Sequence, residues 1–189
     1  MSFEDDRRAM IKQGEGSVPY MYLDTRGYVT VAVGHMMPNI AAAQELPFVH
    51  RTGGGSASSD EIAREFETIK ARPYGQNCAH STFEPYTKLI LPEPEIDVLL
   101  DRRIAEFESG LRKDFSNYES CPAPARLGLM DMAFNLGNHG LVTKFPTFTR
   151  AAREGDWQTC AAECRRTGIG QSRNDETKHL FEEAYEEEI

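Results

Sequence analysis

The sequence predicts an α+β chain, on three observations. Between Tyr20 and Gly34, strand-forming residues flank the turn signal Asp24-Thr25-Arg26-Gly27. From Ile96 to Leu111, apolar residues repeat at helical spacing without a break. From Leu127 to Leu136 the chain has almost no polar face, the signature of a helix buried in the middle of a packed lobe. The outline is a small α+β lobe, a long linking helix and an all-helical lobe.

The elements follow in order. Phe3, Met10 and Ile11 give residues 3–13 an apolar face, and Gly14 and Gly16 around Glu15 end that helix. The run from Tyr28 to Gly34 alternates, so Val29, Val31 and Val33 share one face and Tyr28, Thr30, Ala32 and Gly34 the other. Residues 36–58 are mixed, and Gly53-Gly54-Gly55-Ser56 reads as a flexible loop. Ser59-Asp60-Glu61 caps a helix over about 60–71 that carries Ile62, Phe66 and Ile69. Four prolines and glycines (Pro73, Gly75, Pro85, Pro92) make 72–92 irregular. The long helix starts near residue 94, with Ile96, Leu99, Leu100, Ile104, Phe107 and Leu111 in one stripe. Pro122 and Pro124 open the apolar helix, and Gly137-Asn138-His139-Gly140 closes it. Amphipathic helices follow over 145–154, 156–166 and 174–188, with Thr167–Ser172 as a loop and the glutamates from Glu182 to Glu188 as a solvated helix end.

Composition narrows the function. The 189 residues are 40% hydrophobic and 27% charged, which is a globular balance rather than a disordered one. The net charge is −9, and no basic stripe with interleaved aromatics appears, so nucleic acid is not an expected partner. No apolar run reaches the roughly 18 residues of a membrane span. The opening Met1–Arg8 has no apolar core, so no Sec signal peptide is expected. Cys78, Cys121, Cys160 and Cys164 offer only one short spacing, C-x₃-C, which stacks two thiols on one helix face and makes a poor metal site. Core or surface thiols are expected, with a disulfide open to the chain in an oxidising compartment. No metal or organic cofactor is expected.

Glu15, Asp24 and Thr30 carry the chemistry. A carboxyl at a helix end and another in a hairpin turn, held apart by a rigid strand pair, supply what glycoside hydrolysis needs: one group to protonate the leaving oxygen and one to handle water or the oxocarbenium charge. Among 30 acids, that pairing alone does not single out this chemistry.

The segment from Glu15 to His35 reads EGSVPYMYLDTRGYVTVAVGH, with Glu15, Asp24 and Thr30 nine and then six residues apart. It resembles the catalytic segment of the phage-type lysozymes, the family of the T-even bacteriophage enzyme. Tyr22, Gly27, Tyr28, Gly34 and His35 match as well, and Met132-Ala133-Phe134-Asn135-Leu136-Gly137, Phe145 and Trp157 extend a weaker likeness over about two-thirds of the chain. The resemblance implies a lysozyme-like fold in a single domain over 1–189. Its small lobe spans about 14–92 with an insertion at 36–91, and its helical lobe spans about 93–189 plus 1–13.

The resemblance also implies an N-acetylmuramidase that cleaves peptidoglycan strands with inversion. Glu15 is then the general acid, Asp24 orients or deprotonates the water or stabilises the charged sugar, and Thr30 helps hold that water. Met36, Phe134 and Asn135 match cleft positions, although Met36 and Phe134 read more readily as core. The family's His partner on the long helix aligns with Arg103, so His35 pairs instead with Asp97 or Asp101, or is a buried neutral imidazole. The alternatives are a lytic transglycosylase, which dispenses with the second carboxylate, and an inactive glycan-binding module.

Two departures shape the wider expectation. The insertion would sit on the small lobe, roof the cleft and alter substrate access or bind a partner. The acidity weakens attraction to anionic cell walls, so another agent supplies targeting. A monomer is expected, made in the cytoplasm and acting on the cell wall or periplasm of a target cell. It would be either an interbacterial effector with a delivery protein and an immunity protein, or an endolysin released by a holin.

Overall fold

The computed structural model describes residues 2–187. The chain is α+β, about 61% helical with a three-stranded antiparallel sheet. It divides into two compact units. One is Glu15–Asp101, and the other joins the residues up to Gly14 with those from Arg102 on.

The unit Glu15–Asp101 is built on the sheet. Strands β1 (Val18–Leu23), β2 (Val29–Ala32) and β3 (His35–Met37) lie in the order β1-β2-β3, with Val29 opposite both Leu23 and Met37. Helix α3 (Ser59–Lys70) packs on β1 and β2, sending Ile62, Phe66 and Ile69 into the core beside Met21, Val31 and Phe48. Helix α2 (Ile40–Gln44) precedes it and packs against it; nothing in the sequence pattern announced this short helix, whose N-cap is Asn39. The N-cap of α3 is Ser58, one residue before the expected cap. A capping box forms there: the Ser58 hydroxyl accepts from the Glu61 amide and the Glu61 carboxylate accepts from the Ser58 amide.

All four residues of β2 are buried, so Thr30 itself is covered as completely as Val29 and Val31. Alternation stops at Ala32, whose φ of 58° makes it the one non-glycine residue with a positive φ among those described.

The stretch read as irregular is instead organised by short elements. A small ladder joins β4 (Val49–His50) to β5 (Leu89–Ile90), and two single turns of 3₁₀ helix lie between α3 and β5. Arg51 ties them together, donating to the Glu84 carboxylate at 2.8 Å and the Thr87 hydroxyl at 2.9 Å while its guanidinium lies 5.3 Å from the Tyr20 ring. Beneath this, the buried Glu65 carboxylate accepts from the amides of Lys88 (2.7 Å) and Leu89 (3.2 Å). Burial pushes its pKa above the usual carboxylate value, and those two amides oppose the shift.

Helix α4 (Glu93–Asp114) runs through the division of the chain, which falls between Asp101 and Arg102. Its stripe is buried at Ile96, Leu99, Leu100, Ile104 and Leu111.

The second unit is helical. Helix α1 (Phe3–Glu15) belongs to it up to Gly14 and is longer than expected: Gly14 is helical, and Gly16, at φ 79°, ends the helix. Helices α5 (Ala123–Leu136), α6 (Asn138–Lys144), α7 (Pro146–Glu154), α8 (Trp157–Glu163) and α9 (Gln171–Glu186) complete the unit. Helix α6 fills a stretch read only as a helix end, and α9 begins at Gln171 rather than residue 174. The expected extension to Glu188 lies outside the described residues. The core centres on Phe181, with Trp157 stacked at 6.4 Å and Phe148 edge-on at 5.3 Å. Gly128 lets α5 approach α9, since a Cβ there would come within 2.6 Å of the Phe181 ring.

All four cysteines are free. Cys121, Cys160 and Cys164 are buried, and burial raises the Cys160 and Cys164 thiol pKa values, which suits packing rather than reactivity. None of the helices described is long and apolar enough to cross a membrane.

One polar cluster sits inside the helical unit. Asp131, on the otherwise apolar α5, is buried together with Arg166. Its Oδ2 accepts from Arg166 Nη2 (2.5 Å) and the Thr177 hydroxyl (2.7 Å), and its Oδ1 accepts from Arg173 Nε (2.9 Å) and Nη2 (2.7 Å). Burial raises the Asp131 pKa, but Arg166, Arg173 and Thr177 outweigh it and hold the carboxyl below its usual value. A depressed folded-state pKa stabilises the fold fully above the unfolded value of about 3.9, and that contribution is lost as pH falls through the folded value. Melting temperature should therefore hold steady down to about pH 4 as far as this group is concerned, then drop. Asp131→Ala, which strands two guanidiniums, should cost about 3–5 kcal/mol in denaturant unfolding at neutral pH.

Candidate active site

The hairpin between β1 and β2 is shaped by Asp24. Its backbone N–H donates to the Tyr28 carbonyl at 3.0 Å, and its carbonyl accepts from the Gly27 amide at 3.0 Å. These bonds close the loop Thr25-Arg26-Gly27 with Gly27 left-handed at φ 80°, the usual way such a loop ends. The Asp24 side chain completes the turn from inside, as its Oδ1 accepts from the amides of Arg26 (2.9 Å) and Tyr28 (2.8 Å). The other oxygen, Oδ2, stays outside that cradle and lies 3.8 Å from Nε of the exposed Arg26. One carboxylate oxygen is thus spent on backbone geometry and the other is presented beside the turn.

Thr30 is joined to Asp24 through one peptide. Its hydroxyl donates to the Tyr28 carbonyl at 3.0 Å, the same oxygen that accepts from the Asp24 amide. In the sheet Thr30 lies opposite Tyr22 on β1 and Met36 on β3, so the three side chains form one row across a single face. Met36 is 41% exposed, which makes it a surface residue of that row and not a core residue.

Glu15 is the last residue of α1 and is exposed. It shares its unit with Asp24, Thr30 and Met36. The residue before it is held from the helical side: Arg173 Nη1 donates to the Gly14 carbonyl at 2.8 Å, and a Cβ on Gly14 would meet that guanidinium at 2.7 Å. An arginine at this position satisfies one of the carbonyls that a helix end leaves over.

Phe134 and Asn135 lie near the end of α5, in the other unit. Phe134 is buried with its ring 4.4 Å from that of Phe107, and the Arg103 guanidinium lies 5.7 Å from the ring, so packing accounts for this side chain; Asn135 is half-buried. His35 opens β3 opposite Val31, in the unit that also contains Asp97 and Asp101; Arg103 belongs to the other.

A recess in the unit Glu15–Asp101 lies elsewhere, a groove of about 490 Å³ bounded by His50, Glu61, Arg64, Tyr86 and Lys88 over the buried Glu65. None of the residues expected to be catalytic lines it. Among the described residues no group of three or more His, Cys, Asp and Glu is placed to hold a metal ion.

Sequence reasoning missed several supporting contacts: Arg173 on Gly14 and Asp131 on Arg173 in the helical unit, and Tyr74 against the hairpin in the other. Asp131 had a usable signal, since a lone acid in an apolar helix needs a buried partner. The partners, more than thirty residues away along the chain, had none. The chain matches no family model and no curated protein.

Gly27 meets two demands, because it is left-handed and a Cβ on it would come within 2.7 Å of the Tyr74 ring. Gly27→Ala should destabilise the fold by about 1–2 kcal/mol from the backbone alone, with the displaced tyrosine adding to the loss, as read by chemical denaturation.

Proposed function

We propose that this chain is a peptidoglycan hydrolase, an N-acetylmuramidase that cleaves the β-1,4 bond between N-acetylmuramic acid and N-acetylglucosamine, in a lysozyme-like fold. The observation that carries the reading is the split of the Asp24 carboxylate. One oxygen is fixed by two turn amides, the other lies 3.8 Å from the exposed Arg26 guanidinium, and the Thr30 hydroxyl is tied to the same Tyr28 peptide. A carboxylate locked in this way is preorganised to orient a water or to face a developing positive charge. Glu15, exposed where the chain enters the sheet unit, is the group left to donate a proton to the leaving oxygen. A bound sugar strand covering it supplies the desolvation that a general acid requires.

The likeness of Glu15–His35 to the phage-type lysozymes supports the same roles. It brings inversion at the anomeric carbon, with Met36 and Asn135 as sugar contacts. The net charge of −9 supports delivery by a partner over capture by the wall, which favours an injected effector with a cognate immunity protein, acting as a monomer in a rival's periplasm.

Purified peptidoglycan sacculi test the reading. The wild-type chain should clear them and release reducing muramic ends by mass spectrometry, with the α-anomer appearing first by NMR. Glu15→Gln should lower the rate by about 10²–10⁴-fold. Products with 1,6-anhydro ends would replace hydrolysis with transglycosylation. Equal clearing by wild type and Glu15→Gln would remove Glu15 from the mechanism, and no clearing by either would leave a glycan-binding module.

A further inference from the structure

We infer that the inserted segment braces the turn bearing Asp24, with Lys70 as a positioning residue for that carboxylate; the catalytic part of this inference rests on the proposed muramidase reading. Lys70 is the last residue of α3, and its Nζ donates to the Gly27 carbonyl at 2.7 Å, across 43 positions of sequence. The Gly27 amide is already bonded to the Asp24 carbonyl. The peptide groups on both sides of Gly27 are therefore held, one from inside the loop and one from the insertion. A bond from an ammonium to a carbonyl is charge-assisted and stronger than a neutral one.

Two further contacts close the brace. The Tyr74 ring, from the loop after α3, occupies the space where a Gly27 side chain would stand. The Tyr28 ring has the Lys70 ammonium 5.6 Å and the Arg26 guanidinium 5.1 Å from its centre. An ordinary lysine at a helix end would extend into water and favour the helix's own terminal carbonyls. This one reaches back to a hairpin instead.

The mechanical consequence follows from the cradle. Because Asp24 Oδ1 is bonded to the Arg26 and Tyr28 amides, the carboxylate moves with the turn as one body. Any rocking of Thr25-Arg26-Gly27 displaces Oδ2 from a bound water or sugar, and misplacements of about 1 Å cost about 10²-fold in rate. The insertion suppresses that rocking, so its role is to set the geometry of catalysis more than to cover the substrate.

Two readouts test this. Amide hydrogen exchange measured by NMR on the unliganded full chain needs no activity. Lys70→Met should speed exchange of the Arg26 and Tyr28 amides about tenfold or more while the amides of α5 and α9 keep wild-type rates. On soluble glycan strands Lys70→Met should lower kcat about tenfold with KM within about twofold, and Lys70→Arg should restore most of the loss. Unchanged exchange in Lys70→Met overturns the brace. Faster exchange with wild-type kcat, where Asp24→Asn is inactive, overturns the positioning role. An equal kcat loss in Lys70→Met and Lys70→Arg, or a change confined to KM, overturns it as well. Faster exchange with Asp24→Asn fully active leaves the brace standing and removes the proposed site. Should Lys70→Met not fold, Tyr74→Leu opens the same turn from its other side and is held to the same outcomes.

Discussion

The buried Asp131 carboxylate is the constraint on which the rest of the helical unit depends. It takes two guanidiniums and a hydroxyl out of water, which is tolerable only because both of its oxygens are filled at once. Arg166 comes from the chain after α8, and its backbone is clasped in turn by the Asn174 amide, which accepts from the Arg166 N–H at 2.9 Å and donates to its carbonyl at 3.0 Å. Arg173 and Thr177 come from α9, and Arg173 extends the cluster to the Gly14 carbonyl on α1. A segment that the sequence leaves as a loop is thereby pinned to the centre of the unit, and the last turn of α1 is pinned with it. Hydrophobic burial around Phe181 brings these helices together but is not directional. The ion cluster selects the register, because a shift of one residue in α9 would take Arg173 and Thr177 off Asp131 and leave its Oδ1 unfilled.

The hairpin solves a similar problem by other means. It has no buried charge at its centre, and its turn is exposed at Thr25 and Arg26. Order there comes from saturating the backbone: the Asp24 amide, carbonyl and Oδ1 together engage Tyr28, Gly27 and Arg26. Both devices end beside residues expected to be catalytic, since Gly14 precedes Glu15 and the turn begins at Asp24. Each expected catalytic carboxylate thus adjoins a backbone segment that is fixed independently of any ligand. That is the structural form of preorganisation, in which the cost of ordering is met during folding.

What the sequence made legible follows from how local each signal is. The hairpin was readable because Asp24-Thr25-Arg26-Gly27 encodes its own turn within four residues. The stripe of α4 and the apolar run of α5 were readable because period and composition do not need a partner. Helices α2 and α6 were not, being too short to show a period; they exist because neighbouring helices cover them. The order within 72–92 escaped for a different reason. Pro73, Gly75, Pro85 and Pro92 do break regular structure, but Arg51, from far earlier in the chain, supplies the bonds that organise what is left. Thr30 shows the limit of alternation: its placement opposite Tyr22 and Met36 follows from the two-residue period, whereas its burial follows from cover that no period reveals.

The segment 36–91 has a different meaning under this structure from the one the resemblance implies. Read as an added segment, it suggested a roof over a cleft or a docking surface, both of which would leave the hairpin as it is without the insertion. The bonds instead run inward. Lys70 and Tyr74 act on Gly27, Arg51 lies over Tyr20 on β1, and the Leu91 amide donates to the Pro19 carbonyl at 2.7 Å. A three-stranded sheet with strands as short as β2 and β3 has few ladder bonds of its own and gains independent stability only from what packs on it. Lys70 and Tyr74, Arg51 and Leu91 supply contacts of that kind at three places along β1 and its turn. A segment joined to the sheet in this way cannot be trimmed without loosening the turn, and its residues belong to the same compact unit as Asp24.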